Sequence, residues 1–78
     1  MNLEGLTLYY KSTCPYCQRV LNFMDRCDLT LEMCDITLPG QLDDLLRIGG
    51  KNQVPCLIIE GKALYESADI ITYLDTFV

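Results

Sequence analysis

The 78-residue sequence contains no histidine, and its six lysine and arginine residues are scattered along the chain. Against eleven acidic residues they leave a net charge of −5, so there is no basic patch of the kind that binds nucleic acid. No apolar run approaches the length of a membrane span, and the N-terminus lacks the basic and long apolar segments of a signal peptide. We therefore expect neither a nucleic-acid partner nor a membrane partner.

The five cysteines are an odd number, so they cannot all pair within one chain. Without an export signal, the expected location is a reducing compartment, the cytoplasm. Cys14 and Cys17 form a Cys-x-x-Cys pair, whereas Cys27, Cys34 and Cys56 stand singly. A zinc site would need a second close pair of cysteines or histidines, which the sequence lacks. The pair therefore favours redox chemistry over metal binding, and we expect the single cysteines to be small core residues.

The spacing of the apolar residues predicts the element order βαβαββα. The two strands that flank the first helix should be parallel and joined by a right-handed crossover, and the last two strands should form an antiparallel hairpin. This order predicts one α/β domain over residues 1–78, with a four-stranded mixed sheet covered by three helices. The expected strands cover about residues 3–10, 29–35, 54–59 and 63–65, and the expected helices about 15–27 and 42–48, with a last helix capped by Ser67.

The Cys-x-x-Cys pair lies on the predicted turn from the first strand to the first helix. Pro15 suits the first helical position because the N–H that proline lacks would be unpaired there, which leaves Cys14 at or near the N-cap. The Cys14 sulfur then faces free backbone N–H groups and the positive end of the helix dipole, which both favour the nucleophilic thiolate. Cys17 follows one turn later on the same face, a spacing compatible with a reversible disulfide.

Over nearly its whole length, the sequence resembles the glutaredoxins, which have the thioredoxin-like fold. The resemblance rests on Lys11-x-x-Cys14-Pro15-Tyr16-Cys17, on Val54-Pro55 before an apolar strand, and on the order of elements. The Cys-Pro-Tyr-Cys tetrad is that of the dithiol glutaredoxins. The stretch from Leu64 to Leu74, with Glu66-Ser67 within it, is more similar to the N-terminal domain of glutathione transferases.

The resemblance implies a glutathione-dependent thiol–disulfide oxidoreductase. Cys14 would be the nucleophile and Cys17 the resolving thiol. Glutathione would be the reducing co-substrate, proteins with disulfides or glutathionylated cysteines would be the partners, and a monomer is expected. The positions that would contact glutathione are Lys11, Tyr16, Val54, Pro55, Glu66, Ser67 and Asp69.

Some of these positions also have an ordinary structural interpretation. Lys11 would pair with a glutathione carboxylate, but a lysine at this place can equally be a solvated surface charge. Only the resemblance implies that Pro55 is cis, because most X–Pro bonds are trans. Ser67 would meet the γ-glutamyl group and can at the same time be a helix cap. Cys56 follows Pro55 directly, so whether it takes part in redox chemistry stays open.

Two other functions also stay open at this point. Some glutaredoxins hold an iron–sulfur cluster between two protomers with the help of glutathione, although Pro15 in the tetrad is more typical of redox-active members. The chain could also be a detached transferase-like glutathione-binding domain. The pairing of Cys14 with Cys17 is not typical of a transferase site.

Overall fold

The computed structural model describes every residue from Met1 to Val78 and has the predicted order of four strands and three helices. None of the helices has both the length and the apolar character needed to cross a membrane. In chain order the elements are β1 (Asn2–Tyr10), α1 (Pro15–Arg26), β2 (Thr30–Asp35), α2 (Gln41–Gly49), β3 (Cys56–Ile59), β4 (Lys62–Leu64) and α3 (Ser67–Asp75).

The four strands form one mixed sheet in the order β2-β1-β3-β4. β1 pairs in parallel with β2 across the α1 crossover, and antiparallel with β3. β3 and β4 form the antiparallel hairpin. The predicted four-stranded mixed sheet with three helices is therefore confirmed, and β1 at the centre carries the chain directly to the Cys-x-x-Cys turn.

Most element boundaries match the prediction to within one residue, and two differences bear on the site. β3 begins at Cys56 rather than Val54, and its pairing with β1 ends at Tyr9 opposite Cys56. Pro55 has no N–H to donate to a neighbouring strand, which favours a strand that starts after it. The N-cap of α3 is Glu66, and Ser67 is the first helical residue, so the prediction that Ser67 caps this helix is wrong.

The side chains alternate across the central strands and form a core on each face of the sheet. The smaller cluster contains Tyr9, Leu45, Cys56 and Ile58, with Cys34 packed against it; Cys27 packs against the larger one. Cys56 is thus a small core residue as predicted, whereas Cys27 and Cys34 are only partly buried at the edges of the two clusters. The larger cluster contains Leu3, Leu6, Leu8, Val20, Met24, Leu29, Leu31, Leu57, Ile70 and Leu74.

Candidate active site

Cys14 occupies the N-cap of α1, as the position of Pro15 predicted. Its backbone is extended, with φ −86° and ψ 121°, and Pro15 begins the helix. The Cys14 sulfur accepts a hydrogen bond from the backbone N–H of Cys17 at 3.4 Å. The nucleophile candidate therefore satisfies one of the N–H groups that would otherwise be unpaired at this helix terminus.

The surroundings of Cys14 lower the pKa of its thiol. Burial acts to raise this pKa, but hydrogen bonds from the backbone N–H and the thiol of Cys17 act in the opposite direction. The backbone N–H of Tyr16 and the positive charge of Lys11 lower it further. The sum of these effects holds the pKa of Cys14 below its ordinary value, and the thiolate is the reactive form of cysteine.

Cys17 lies in the opposite environment, one helical turn away. Its side chain is fully buried, and this burial raises the pKa of the Cys17 thiol to about 11. The backbone N–H of Lys11, 3.5 Å from the sulfur, acts against that shift, while the neighbouring Cys14 adds to it. Two cysteines three positions apart thus differ in both exposure and acidity, so that only Cys14 suits the initial attack.

A groove of about 390 Å³ opens beside Cys14. The Cys14 thiol donates a long hydrogen bond to the carbonyl of Val54, at 3.8 Å, and Val54 is part of the groove wall. The Val54–Pro55 peptide bond is cis, as the resemblance implied. The residues that line the groove are Tyr16, Gln53, Val54, Pro55, Tyr65, Glu66 and Ser67.

This groove brings together most of the positions implied for glutathione binding. Lys11 and Asp69 are exposed and lie outside its lining. Lys11 is nevertheless close enough to Cys14 for its charge to lower the pKa of that thiol. The implied residues that do line the groove are Tyr16, Val54, Pro55, Glu66 and Ser67.

Gln53 and Tyr65 also line the groove, and the sequence did not single them out. Each directly precedes a pair of residues that the resemblance did assign, Val54-Pro55 and Glu66-Ser67 respectively. This adjacency is the only signal in the sequence. Gln53 stands in a polar loop and Tyr65 directly follows the short strand β4, which are ordinary places for both residue types.

The N-terminus of α3 forms the part of the groove wall that lies at Glu66 and Ser67. The N-cap residue Glu66 makes no side-chain hydrogen bond to the helix. The first N–H groups of an α-helix have no partner within the helix, and they attract negatively charged groups. With the hydroxyl of Ser67 beside them, they offer hydrogen-bond donors to a carboxylate in the groove.

A second hollow, of about 580 Å³, is lined by residues of α1 and α3 and by neither Cys14 nor Cys17. The Cys14 thiol bonds to Val54 in the wall of the smaller groove, so we place the chemistry there. No group of three or more histidine, cysteine, aspartate or glutamate side chains converges to hold a metal ion. The residues lining the second hollow are Arg19, Asn22, Asp25, Arg26 and Ile71.

With this geometry in place, comparison with known proteins identifies the family. The family model described as glutathione S-transferase, N-terminal domain, matches residues 8–76, so the chain belongs to that family. No curated protein matches it. The relation to the transferases that the C-terminal stretch suggested thus extends over almost the whole chain, including the Cys-x-x-Cys turn.

Solved structures of transferases and of a glutaredoxin share the fold. Glutathione transferase Omega 3C from Trametes versicolor is 28% identical, with a TM-score of 0.80, over 96% of this chain and 34% of its own. A glutathione S-transferase from Methylobacillus flagellatus with glutathione bound is 25% identical, with a TM-score of 0.77, over 94% of this chain and 37% of its own. This chain therefore spans about a third of the length of those transferases.

The buckwheat glutaredoxin–glutathione complex has a TM-score of 0.69 and 21% identity, and covers 94% of this chain and 70% of its own. At that identity the likeness is one of fold alone. Together with the family match, it confirms the predicted thioredoxin-like fold.

Proposed function

We propose that this protein is a glutathione-dependent thiol–disulfide oxidoreductase of the dithiol glutaredoxin type. The observation that carries the proposal is the contrast between Cys14 and Cys17. One thiol is partly exposed with a lowered pKa, and the other is fully buried with its pKa raised to about 11. A dithiol reductase needs two thiols that differ in this way, because the first must attack the substrate as a thiolate and the second must stay protonated until the mixed disulfide has formed.

The reaction proceeds by two thiol–disulfide exchanges. The Cys14 thiolate attacks one sulfur of a substrate disulfide, and the other sulfur leaves as a thiolate that takes up a proton. Cys17 then loses its proton and attacks the Cys14 sulfur, which releases the reduced substrate and leaves a Cys14–Cys17 disulfide. Two glutathione molecules reduce that disulfide in turn and leave as glutathione disulfide, so electrons and protons balance.

The groove supports glutathione as the reductant. In our proposal the γ-glutamyl carboxylate lies at the N-terminus of α3, where Ser67 and the first free N–H groups donate to it and Glu66 and Asp69 lie close by. The backbone of Val54 would pair with the cysteinyl part, which places the glutathione sulfur next to Cys14. Lys11 would attract the second carboxylate. The Methylobacillus flagellatus and buckwheat structures both contain glutathione, which is consistent with this ligand.

A transferase-type reaction is the second candidate, and the family match favours it. In that reaction the enzyme activates glutathione itself for attack on an electrophile, and a second protein cysteine has no task. Disulfide exchange gives the buried Cys17 beside Cys14 a chemical role, and for this reason we prefer the oxidoreductase.

Two assays on the same protein separate the candidates. One follows glutathione-coupled reduction of a mixed disulfide between glutathione and a small thiol. The other follows conjugation of glutathione to an electrophilic substrate. We expect clear turnover in the first, lost in Cys14→Ser, and a result near the blank in the second. Conjugation without disulfide turnover would overturn the proposal.

A further inference from the structure

Tyr65 lies where the groove, the sheet and the end of α2 meet. Its hydroxyl donates a long hydrogen bond to the carbonyl of Lys51, at 3.5 Å. The ammonium group of Lys51 lies 5.3 Å from the centre of the Tyr65 ring, within the range of a cation–π contact. The ring also packs against the smaller core cluster and lines the groove. The Tyr65 side chain thus contacts the loop of residues 50–53 and also forms part of the groove wall.

Gly49, the last residue of α2, lies directly against this tyrosine. A Cβ atom at Gly49 would overlap the hydroxyl oxygen of Tyr65, and would lie 3.2 Å from its Cζ and 3.3 Å from the Cβ of Ala63. Gly50 next to it has φ +81°, a conformation that favours glycine, whereas Gly49 is helical and has no positive φ. The close approach of Tyr65 is therefore what requires a glycine at position 49.

We propose that Tyr65 is a positioning residue for the glutathione groove and that Gly49 provides the room it needs, a proposal that rests on the proposed function. Because its hydroxyl holds the backbone of the loop of residues 50–53, Tyr65 keeps that loop, and the Val54 backbone that follows it, in place beside Cys14. The hydrogen-bond partners of the Cys14 sulfur are Val54 and Cys17 and not Tyr65, so Tyr65 would act through the loop and not on the chemistry.

Tyr65→Phe tests the hydroxyl while keeping the ring. We expect the KM for glutathione to rise roughly three- to tenfold, the range that the loss of one hydrogen bond covers, with little change in kcat. Amide hydrogen exchange at residues 50–54 should become faster in the protein without glutathione. Tyr73→Phe is the matched control, since the Tyr73 ring packs against the larger core cluster and does not line the groove. It should leave both measurements unchanged.

Gly49→Ala tests the second half of the proposal. This substitution should also raise the KM for glutathione, although residue 49 does not line the groove. In the Tyr65→Phe background it should add little, because the oxygen atom that the new Cβ would overlap is gone. Contacting residues give such non-additive effects, whereas independent ones add. If Gly49→Ala and Tyr65→Phe have additive effects on the KM for glutathione, Gly49 does not act through its contact with Tyr65.

The exchange measurement distinguishes this proposal from the proposed function. If the wild-type protein turns over no disulfide with glutathione, while Tyr65→Phe still accelerates exchange at residues 50–54, the function is wrong and the positioning role stands. If the wild-type protein is active, and Tyr65→Phe changes neither the KM for glutathione nor the exchange, Tyr65 does not position the groove.

Discussion

Two helix N-termini border the same groove, and the protein uses them differently. At the start of α1, the Cys14 sulfur accepts a hydrogen bond from the helix backbone. At the start of α3, Glu66 makes no such bond, and the neighbouring Ser67 lines the groove. The first terminus favours the thiolate of Cys14, and the second has no side-chain cap where it borders the groove.

The lack of a side-chain cap does not by itself mark a binding site. α2 also begins without one, at Gly40, and it has Asp43 and Asp44 in its first turn. Neither Gly40 nor these aspartates lines the groove. The α3 terminus differs because it has no side-chain cap and also borders the groove beside Cys14, so a molecule in the groove can reach both termini.

The largest effect should come from Cys14→Ser at the first terminus. Serine is a good N-cap residue, so the helix and the melting temperature should be preserved. All disulfide reduction should nevertheless be lost, because a hydroxyl at neutral pH cannot replace the thiolate as the nucleophile. Glutathione-coupled turnover together with thermal unfolding checks both points. Residual activity in this variant would mean that another cysteine makes the first attack.

Ser67→Ala should weaken glutathione binding at the second terminus. A hydrogen bond to a charged carboxylate would be lost, which is worth about 1.5–3 kcal/mol. Because the cap is at Glu66 and not at Ser67, the melting temperature should change little. Titration calorimetry with glutathione measures the affinity. Thr76→Ala is the control, as its hydroxyl bonds to the carbonyl of Tyr73 at the other end of α3. Equal affinities in Ser67→Ala and Thr76→Ala would place the carboxylate elsewhere.

Lys11→Glu should reduce glutathione-dependent activity by a smaller amount, through its effects on both glutathione and Cys14. The reversed charge would repel an incoming carboxylate and would raise the pKa of Cys14, which Lys11 lowers. The apparent KM for glutathione should rise, while the free energy of unfolding stays within about 0.5 kcal/mol because Lys11 is exposed. Lys62→Glu, an exposed charge reversal on β4, is the control. A loss of stability without a change in KM would make Lys11 a structural residue.

The smallest effect concerns stability at alkaline pH. The pKa of Cys17 is raised from 9.0 to about 11, so between these values the unfolded chain has lost a proton that the folded protein still holds. The free energy of unfolding should therefore fall as pH rises through this window. Cys14, whose pKa is lowered, contributes in the opposite sense, and its stabilisation is lost as pH falls through its folded-state pKa. Denaturant unfolding at several pH values should show a shallower alkaline decline in Cys17→Ser, and identical slopes would contradict the buried state of Cys17.

The sequence predicted the N-terminus of α1 much better than the N-terminus of α3. The position of Cys14 follows from local chemistry, because Pro15 can stand at the first helical position and a strand pattern precedes it. At α3, serine is the more common cap, but Glu66 takes the extended conformation of the cap, with φ −73° and ψ 130°.

The composition of the groove could be predicted only in part. Val54, Pro55 and Glu66 were found because they belong to short motifs. Gln53 and Tyr65 belong to no such motif, and Tyr65 is held by tertiary packing, as the contact between its hydroxyl and Gly49 shows. That contact joins the end of α2 to the strand-to-helix turn before α3, and nothing in the spacing of the two residues along the chain predicts it.

The most direct test of the central claim is to compare Cys17→Ser with the wild-type protein on two substrates. When the mixed disulfide is between Cys14 and glutathione, a second glutathione can resolve it from solution, so turnover of small glutathione mixed disulfides should be kept or increased. When the mixed disulfide is between Cys14 and a bulky protein, its cleavage depends on the nearby thiol of Cys17. Because Cys17→Ser lacks this thiol, its reduction of protein disulfides should largely stop. The stalled adduct should then be visible by mass spectrometry. If Cys17→Ser abolishes both reactions equally, the glutathione-dependent mechanism is wrong.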